Sequence, residues 1–329
     1  MSIGQHRVVT VGSINIDLVA YAQRRPQAGE TYVGQKFTIG AGGKGSNQAI
    51  QAALSGAQSF MIGRIGSDIF ASYIYEIYNQ VGVNYDYVIT DDTGTGIGHV
   101  IVDGNGDYSA IIVPRANGNL SPDDVDRAKP IIQSAKILLL QLEVPLPTII
   151  HAARLARELG LTIFLNAAPA HPLPKDLLSN VDILIVNEIE AEMLTGLPVG
   201  DSIEQYDLVL QTLHRDTNNV VLSLGGRGVI GINCHGEIKY IAGHKVEVVN
   251  TIGAGDAFIG ELAARMAEGK MLFEALPYAN AAGALAVTQA TSQAIEVNRE
   301  MIETLVTRNS NLPDGEIRLP VAQDRKEVK

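Results

Sequence analysis

The segment Asn250-Thr251-Ile252-Gly253-Ala254-Gly255-Asp256-Ala257-Phe258 sets an acid among glycines at the start of an apolar-periodic run. Glycine lets a chain turn sharply with no Cβ in the way. Unpaired N–H groups at a helix start favour an anion. An aspartate at such a start is by itself an ordinary cap, but a cap does not need two flanking glycines. Glycines and carboxylate together suit phosphoryl transfer, with backbone donors holding the migrating group while the acid takes a proton from the attacking hydroxyl.

Three further segments carry polar groups near turns. Gly40-Ala41-Gly42-Gly43-Lys44-Gly45-Ser46-Asn47 contains the letters of a dinucleotide fingerprint. It comes well after the first strand-like run, Val8–Val11, whereas that fingerprint follows its strand directly. Gly45 stands where a Walker A loop needs Ser or Thr. Exposed N–H groups with Lys44 and Asn47 suit a polyhydroxyl ligand equally, and a tight turn with an incidental lysine is the plainer alternative. In Gly12-Ser13-Ile14-Asn15-Ile16-Asp17, Asn15 and Asp17 share one face of an extended backbone, or serve as turn formers. In Asn187-Glu188-Ile189-Glu190-Ala191-Glu192, carboxylates follow a strand; they suit a water-bridged Mg²⁺ or the first turn of a helix. Ser223-Leu224-Gly225-Gly226-Arg227-Gly228 follows another strand and reads either as a nucleotide-side loop or as a hairpin turn.

The elements that must hold these groups alternate. Short β-branched runs (Val8–Val11, Phe60–Ile62, Ile137–Leu142, Thr162–Leu165, Ile183–Val186, Val220–Leu224, Val229–Ile232) are separated by helical patterns such as Asn47–Leu54, Thr148–Leu159 and Asp256–Ala267. This predicts an α/β fold with a mainly parallel sheet buried on both faces. A further strand-like run, Val246–Val249, precedes the acidic glycine turn. Two stretches, 17–38 and 95–113, read as strands and hairpins with little helix; the turn Val102–Asp107 is a hairpin signal. They predict a β lid on a body formed by 1–16, 39–94 and 114–329. Pro313–Lys329 reads as a frayed terminus.

Composition removes other classes. The chain has 329 residues, 46% of them hydrophobic, which excludes a disordered polymer. One cysteine excludes an internal disulfide framework or a multi-cysteine metal site; Cys234 lies in an apolar run and reads as core. A net charge of −11 argues against non-specific nucleic-acid binding. The seven histidines show no metal-ligand spacing. With no signal-peptide core and no apolar run near the roughly 20 residues of a membrane span, the expectation is a cytoplasmic protein with no membrane partner.

Taken together, Gly12–Asp17, Gly42–Gln48, Gln141-Leu142-Glu143, Asn166–Ala170, Asn187–Glu190 and Thr251–Asp256 resemble, in order and spacing, the ribokinase family of PfkB-type carbohydrate kinases, from about Val8 to Thr288. The resemblance implies a three-layer α/β/α sandwich with a small β-sheet lid, the lid often serving dimer contact. It implies transfer of the γ-phosphate of MgATP to a sugar's primary hydroxyl, with D-ribose and its 5-hydroxyl expected and deoxyribose, fructose or a nucleoside as alternatives. A non-catalytic sugar- or nucleotide-binding regulator is the alternative outside enzymology. By position Asp256 would be the base, with the N–H groups of Gly253, Ala254 and Gly255 as anion hole. Asn15, Asp17, Gly43, Lys44, Asn47 and Glu143 would hold the sugar. Asn187, Ser223, Gly225 and Asn280 would line the nucleotide, and Glu190 would help place Mg²⁺ through water. The sequence departs from the family where Asn250 replaces an aspartate of its monovalent-cation site, and where Thr291 and Ile295 replace a glycine and a serine. Loss of that carboxylate predicts weak activation by K⁺. Ala71 replaces a common glycine after Gly66-x-Asp68.

Overall fold

A computed structural model of the protein describes residues 6–105, 108–289 and 297–310. Its strands are β1 (Arg7–Val11), β2 (Asn15–Tyr21), β3 (Lys36–Gly42), β4 (Gln58–Gly66), β5 (Asn84–Asp91), β6 (Gly96–Val102), β7 (Tyr108–Val113), β8 (Ile137–Gln141), β9 (Thr162–Asn166), β10 (Ile183–Asn187), β11 (Asn219–Ser223), β12 (Gly228–Ile232) and β13 (Ile238–Ala242). Its helices are α1 (Lys44–Leu54), α2 (Ile69–Val81), α3 (Pro122–Arg127), α4 (Lys129–Ile132), α5 (Leu146–Glu158), α6 (Lys175–Leu178), α7 (Glu188–Thr195), α8 (Ile203–His214), α9 (Ala254–Ala267), α10 (Leu272–Ala286) and α11 (Arg299–Ser310).

Nine strands make one sheet in the order β13-β12-β11-β10-β9-β8-β1-β4-β5. The pairs from β5 to β11 are parallel, and β12 and β13 close one edge antiparallel. Alternation along each strand sends neighbours to opposite faces. Val8, Leu139, Phe164, Ile185 and Val221 pack with α9 and α10. Val9, Leu138, Ile163, Leu184 and Val220 pack on the other side with α5 and α8. Each such side chain contributes roughly 1.5–3 kcal/mol by leaving water. Both faces are therefore covered, and the result is the expected three-layer α/β/α sandwich. Among the described residues no helix is long and apolar enough to cross a membrane.

The second sheet has four strands in the order β3-β2-β6-β7. It begins at Asn15 rather than Asp17 and continues to Gly42 rather than Thr38. The reason is register: Asn15 pairs with both Gly42 and Gly96, so the ladder persists until the chain turns into α1. The hairpin between β6 and β7 forms where the sequence predicts it; Gly106 and Asp107 within it lie outside the described residues.

Two expectations are corrected. Val246–Val249 is not a strand; Val248 and Val249 are 60% and 58% exposed. Its β-branched composition suits a strand, but among the described residues no strand pairs with it, and the Val249 N–H bonds to the carbonyl of Val287 at the end of α10. Cys234 is exposed, in the turn between β12 and β13, because the apolar run ends at Ile232. Thr291, Ile295 and the Pro313–Lys329 tail lie outside the described residues. Ala71 is buried in α2, and its N–H is capped by Asp68 Oδ1 at 3.3 Å.

Candidate active site

At the carboxyl ends of the parallel strands the apolar runs stop and polar side chains begin. Gln141 ends β8 beside Asn166 on β9, and Asn187 ends β10 beside Ser223 on β11. In open α/β sheets this edge is where ligands bind. Here Asn166, Asn187 and Ser223, though not Gln141, form the floor of a cleft of about 400 Å³, walled by the N-termini of α1 and α9 and roofed by the second sheet through Asn15, Asp17, Val100 and Ile112.

Gly253 caps α9 with φ 80°, the left-handed region that glycine tolerates at no steric cost. Gly255 and Asp256 follow in the first turn, and all three line the cleft. Farther along α9, a Cβ on Gly260 would sit 2.6 Å from the carbonyl oxygen of Gln48. The absence of that Cβ lets α1 lie directly against α9, and this contact carries Asn47 and Gln48 to Asp256. Gln48 Nε2 donates to Asp256 Oδ1 at 2.9 Å, and Asn47 Nδ2 to Oδ2 at 3.3 Å. Burial pushes the Asp256 carboxyl above its ordinary range; the charge of Lys44 and the amides oppose this, while Glu143 adds to it. A carboxyl so placed is a stronger base than a solvated one.

The residues expected to hold a sugar surround this acid. Asn15 and Asp17 project from one face of β2 into the cleft, with Gly43, Lys44, Asn47 and Glu143 opposite. Glu143 Oε2 accepts from Ser13 Oγ at 2.6 Å and from the Lys44 N–H at 3.0 Å, so this carboxylate also pins the start of α1. Asn15 Oδ1 accepts from Asn117 Nδ2 at 2.7 Å.

On the far side Asn187, Ser223 and Glu190 line the cleft. Asn187 and Glu190 form a reciprocal cap on α7: Asn187 N–H donates to Glu190 Oε2 and Glu190 N–H to Asn187 Oδ1, both at 2.8 Å. The capping role and the place in the cleft therefore coincide. Burial raises the Glu190 carboxyl above its ordinary range, opposed by the Asn187 N–H and by Lys44 and reinforced by Asp256. No group of three or more metal-ligating side chains occurs among the described residues. One buried carboxylate without a cage fits Mg²⁺ carried by phosphates and water, which suits its reluctance to dehydrate.

Three expected site residues are not among those that line this cleft. Ala254 does not line the cleft, and its N–H lies 3.4 Å from the Thr251 carbonyl. Gly225 lies outside the lining in the turn that joins β11 to antiparallel β12, so Ser223–Gly228 is a hairpin turn with Ser223 alone facing inward. Asn280 Nδ2 donates to the Ala242 carbonyl at 2.8 Å, tying α10 to β13. Asn250 Oδ1 accepts from the Ile252 N–H at 3.0 Å and so shapes the turn before α9.

Sequence reasoning assigned no role to Gln48, Gln141, Asn117 or Gly260. A signal existed for two of them: a glycine inside a helical pattern implies a close neighbour, and a glutamine ending an otherwise apolar strand implies a polar partner. Asn117 carried none, because its partners are about a hundred residues away.

Residues 5–298 match the family model described as pfkB family carbohydrate kinase. A ribokinase of Staphylococcus aureus (strain COL) is 35% identical over 292 residues, 88% of this chain and 96% of the relative. A deoxyribokinase of Salmonella typhi is 32% identical over 256 residues, 77% of this chain and 83% of the relative. The solved structure of Arabidopsis thaliana ribokinase complexed with ribose and ATP is 32% identical, with a TM-score of 0.82 over 91% of this chain and 98% of that one.

Proposed function

The chain belongs to the pfkB family of carbohydrate kinases, and from that premise we propose that it transfers the γ-phosphate of ATP to the 5-hydroxyl of D-ribose, giving ribose 5-phosphate and ADP. One observation carries the reading: a desolvated acid, Asp256, stands in one cleft with the glycine turn that heads α9 and with the polar face of β2. Asn15, Asp17, Gly43, Lys44, Asn47 and Glu143 hold the sugar's hydroxyls. Asp256 takes the proton of the acceptor hydroxyl as its oxygen attacks phosphorus. The N–H groups of Gly253 and Gly255 face the migrating phosphoryl group, with Ala254 completing the turn. Asn187, Ser223, Gly225 and Asn280 lie along the nucleotide. Glu190 would hold Mg²⁺ through water; the bound ion offsets charge on the phosphates. Positioning and charge stabilisation supply most of the rate, and a base of this kind contributes roughly 10²–10⁴-fold.

The test is ATP consumption over a panel of pentoses, hexoses and nucleosides. The expected result is the highest kcat/KM with D-ribose; preference for a hexose or nucleoside overturns it. Similarity to a deoxyribokinase favours 2-deoxyribose as the second reading, and the same panel separates the two. A binding protein without turnover has no use for an acid held desolvated beside an anion site, which argues against the regulator. The apolar outer face of the second sheet, with Phe37 and Ile39 exposed on edge strand β3 and Ile111 on edge strand β7, supports a homodimer formed through this lid.

A further inference from the structure

Behind Asp256, away from the cleft lining, runs a chain of buried amides. Gln48 and Gln141 are both fully buried. Gln141 Nε2 donates to Gln48 Oε1 at 2.6 Å, and Gln48 Nε2 donates to Asp256 Oδ1 at 2.9 Å and to Asn166 Oδ1 at 3.3 Å. The direction of the chain is forced from its end. An ionised carboxylate only accepts, so Gln48 must turn its NH₂ towards Asp256 and its oxygen towards Gln141, which must in turn present its own NH₂. The last oxygen, Gln141 Oε1, then finds no hydrogen-bond partner among the described residues. It lies against Gly12, where a Cβ would come within 2.0 Å of it. An unpartnered buried carbonyl is costly. A reversed Gln141 would relieve nothing, because it would set two oxygens against each other at Gln48.

We infer that Gln48 and Gln141 are positioning residues that fasten the Oδ1 edge of Asp256 and so leave Oδ2, beside Asn47 on the cleft side, as the edge that receives the acceptor's proton. This deepens the kinase reading and rests on it. The Asn47 bond to Oδ2 is long and lies at the cleft lining, so a substrate hydroxyl can replace it. The Gln48 bond to Oδ1 is shorter and sealed. The charged groups near this carboxylate are Lys44 at the head of α1, Glu143 after β8 and Glu190 on α7. None of them contacts Gln141 in the described hydrogen bonds.

The test compares pH profiles of kcat/KM and kcat for wild type, Gln48→Met, Gln141→Met and Asp256→Asn, with thermal melts of each. Loss of a donor to a carboxylate favours its protonated form, so the acid limb of Gln48→Met moves to higher pH. A shift of about one unit makes it about tenfold slower than wild type below the midpoint, while its alkaline plateau stays within about threefold. Gln141→Met, which touches neither Asp256 nor the cleft, shifts the limb in the same direction by less, with KM for MgATP unchanged. Uniform loss at every pH, or no shift in either variant, overturns the inference. Should Gln48→Met fail to fold, Gln141→Met decides alone. Asp256→Asn guards the underlying reading: if it keeps a tenth of wild-type turnover, the base itself is misassigned, whatever the glutamine variants do.

Discussion

Asp17 on β2 lies over Gly98 of the paired strand β6 so closely that a Cβ on Gly98 would fall 2.3 Å from Asp17 Oδ1. The lid thus makes room for its own cleft-facing carboxylate with a glycine in the neighbouring strand. Gly98→Ala should drive Asp17 off its position without touching the nucleotide side. The expected outcome in steady-state kinetics is a KM for sugar raised at least tenfold with KM for MgATP unchanged. Equal loss for both substrates means that the lid as a whole has been disturbed.

Asp256→Asn should abolish most turnover, by roughly 10²–10⁴-fold, yet stabilise the fold. Burial raises this carboxyl's pKa in the folded state. The contribution of its protonated form is then fully present below the ordinary carboxylate range and is lost as pH rises through the folded value. Near neutral pH the wild type carries that cost and the amide does not. Thermal melts should show a higher Tm for the variant at pH 7, and the gap should close towards pH 4. In the wild type the same shift sets the acid limb of kcat/KM above the usual carboxylate range.

Asn117 holds three groups of the β1–β2 connection: it accepts from the Ile14 N–H at 2.8 Å, and donates to the Ile14 carbonyl at 3.1 Å and to Asn15 Oδ1 at 2.7 Å. Asn117→Ala leaves buried groups unsatisfied, at about 1–3 kcal/mol each. Denaturant titration should show that loss together with weaker sugar binding, since Asn15 loses its anchor. A stable variant with unaltered sugar KM contradicts this.

Asn250 places a neutral amide, already engaged with the Ile252 N–H, where a cation-binding carboxylate is expected. Turnover in Na⁺, K⁺ and a large organic cation should therefore differ little. Activation of tenfold or more by K⁺ shows that carbonyl groups alone suffice for that site.

The outer face of the lid exposes Ile111 at 67% and Phe37 at 57%. Ile111→Asp puts a charge into the proposed dimer contact and should give a monomer by light scattering at micromolar concentration, with the sheet intact by circular dichroism. A wild type that is itself monomeric at high concentration refutes the contact.

Periodicity and turn chemistry are local, so the sequence by itself determined the alternation of strands and helices, the mainly parallel sheet, the β-rich second sheet and the clustering of chemistry in Gly12–Asp17, Gly42–Gln48 and Gly253–Asp256. Those segments carry their signals in consecutive residues. Local signals also misled: Val246–Val249 has a strand's composition but, among the described residues, no strand to pair with, and Cys234 follows an apolar run that stops two residues earlier. Only the tertiary structure decided which polar groups converge. Gln48 and Asp256 are 208 residues apart, and their bond depends on two helices packing across Gly260. Asn15 and Asn117 are 102 residues apart and meet because the chain returns from the lid to the body. Hydrogen-bond partners across such separations are chosen by packing geometry, which no spacing along the chain encodes.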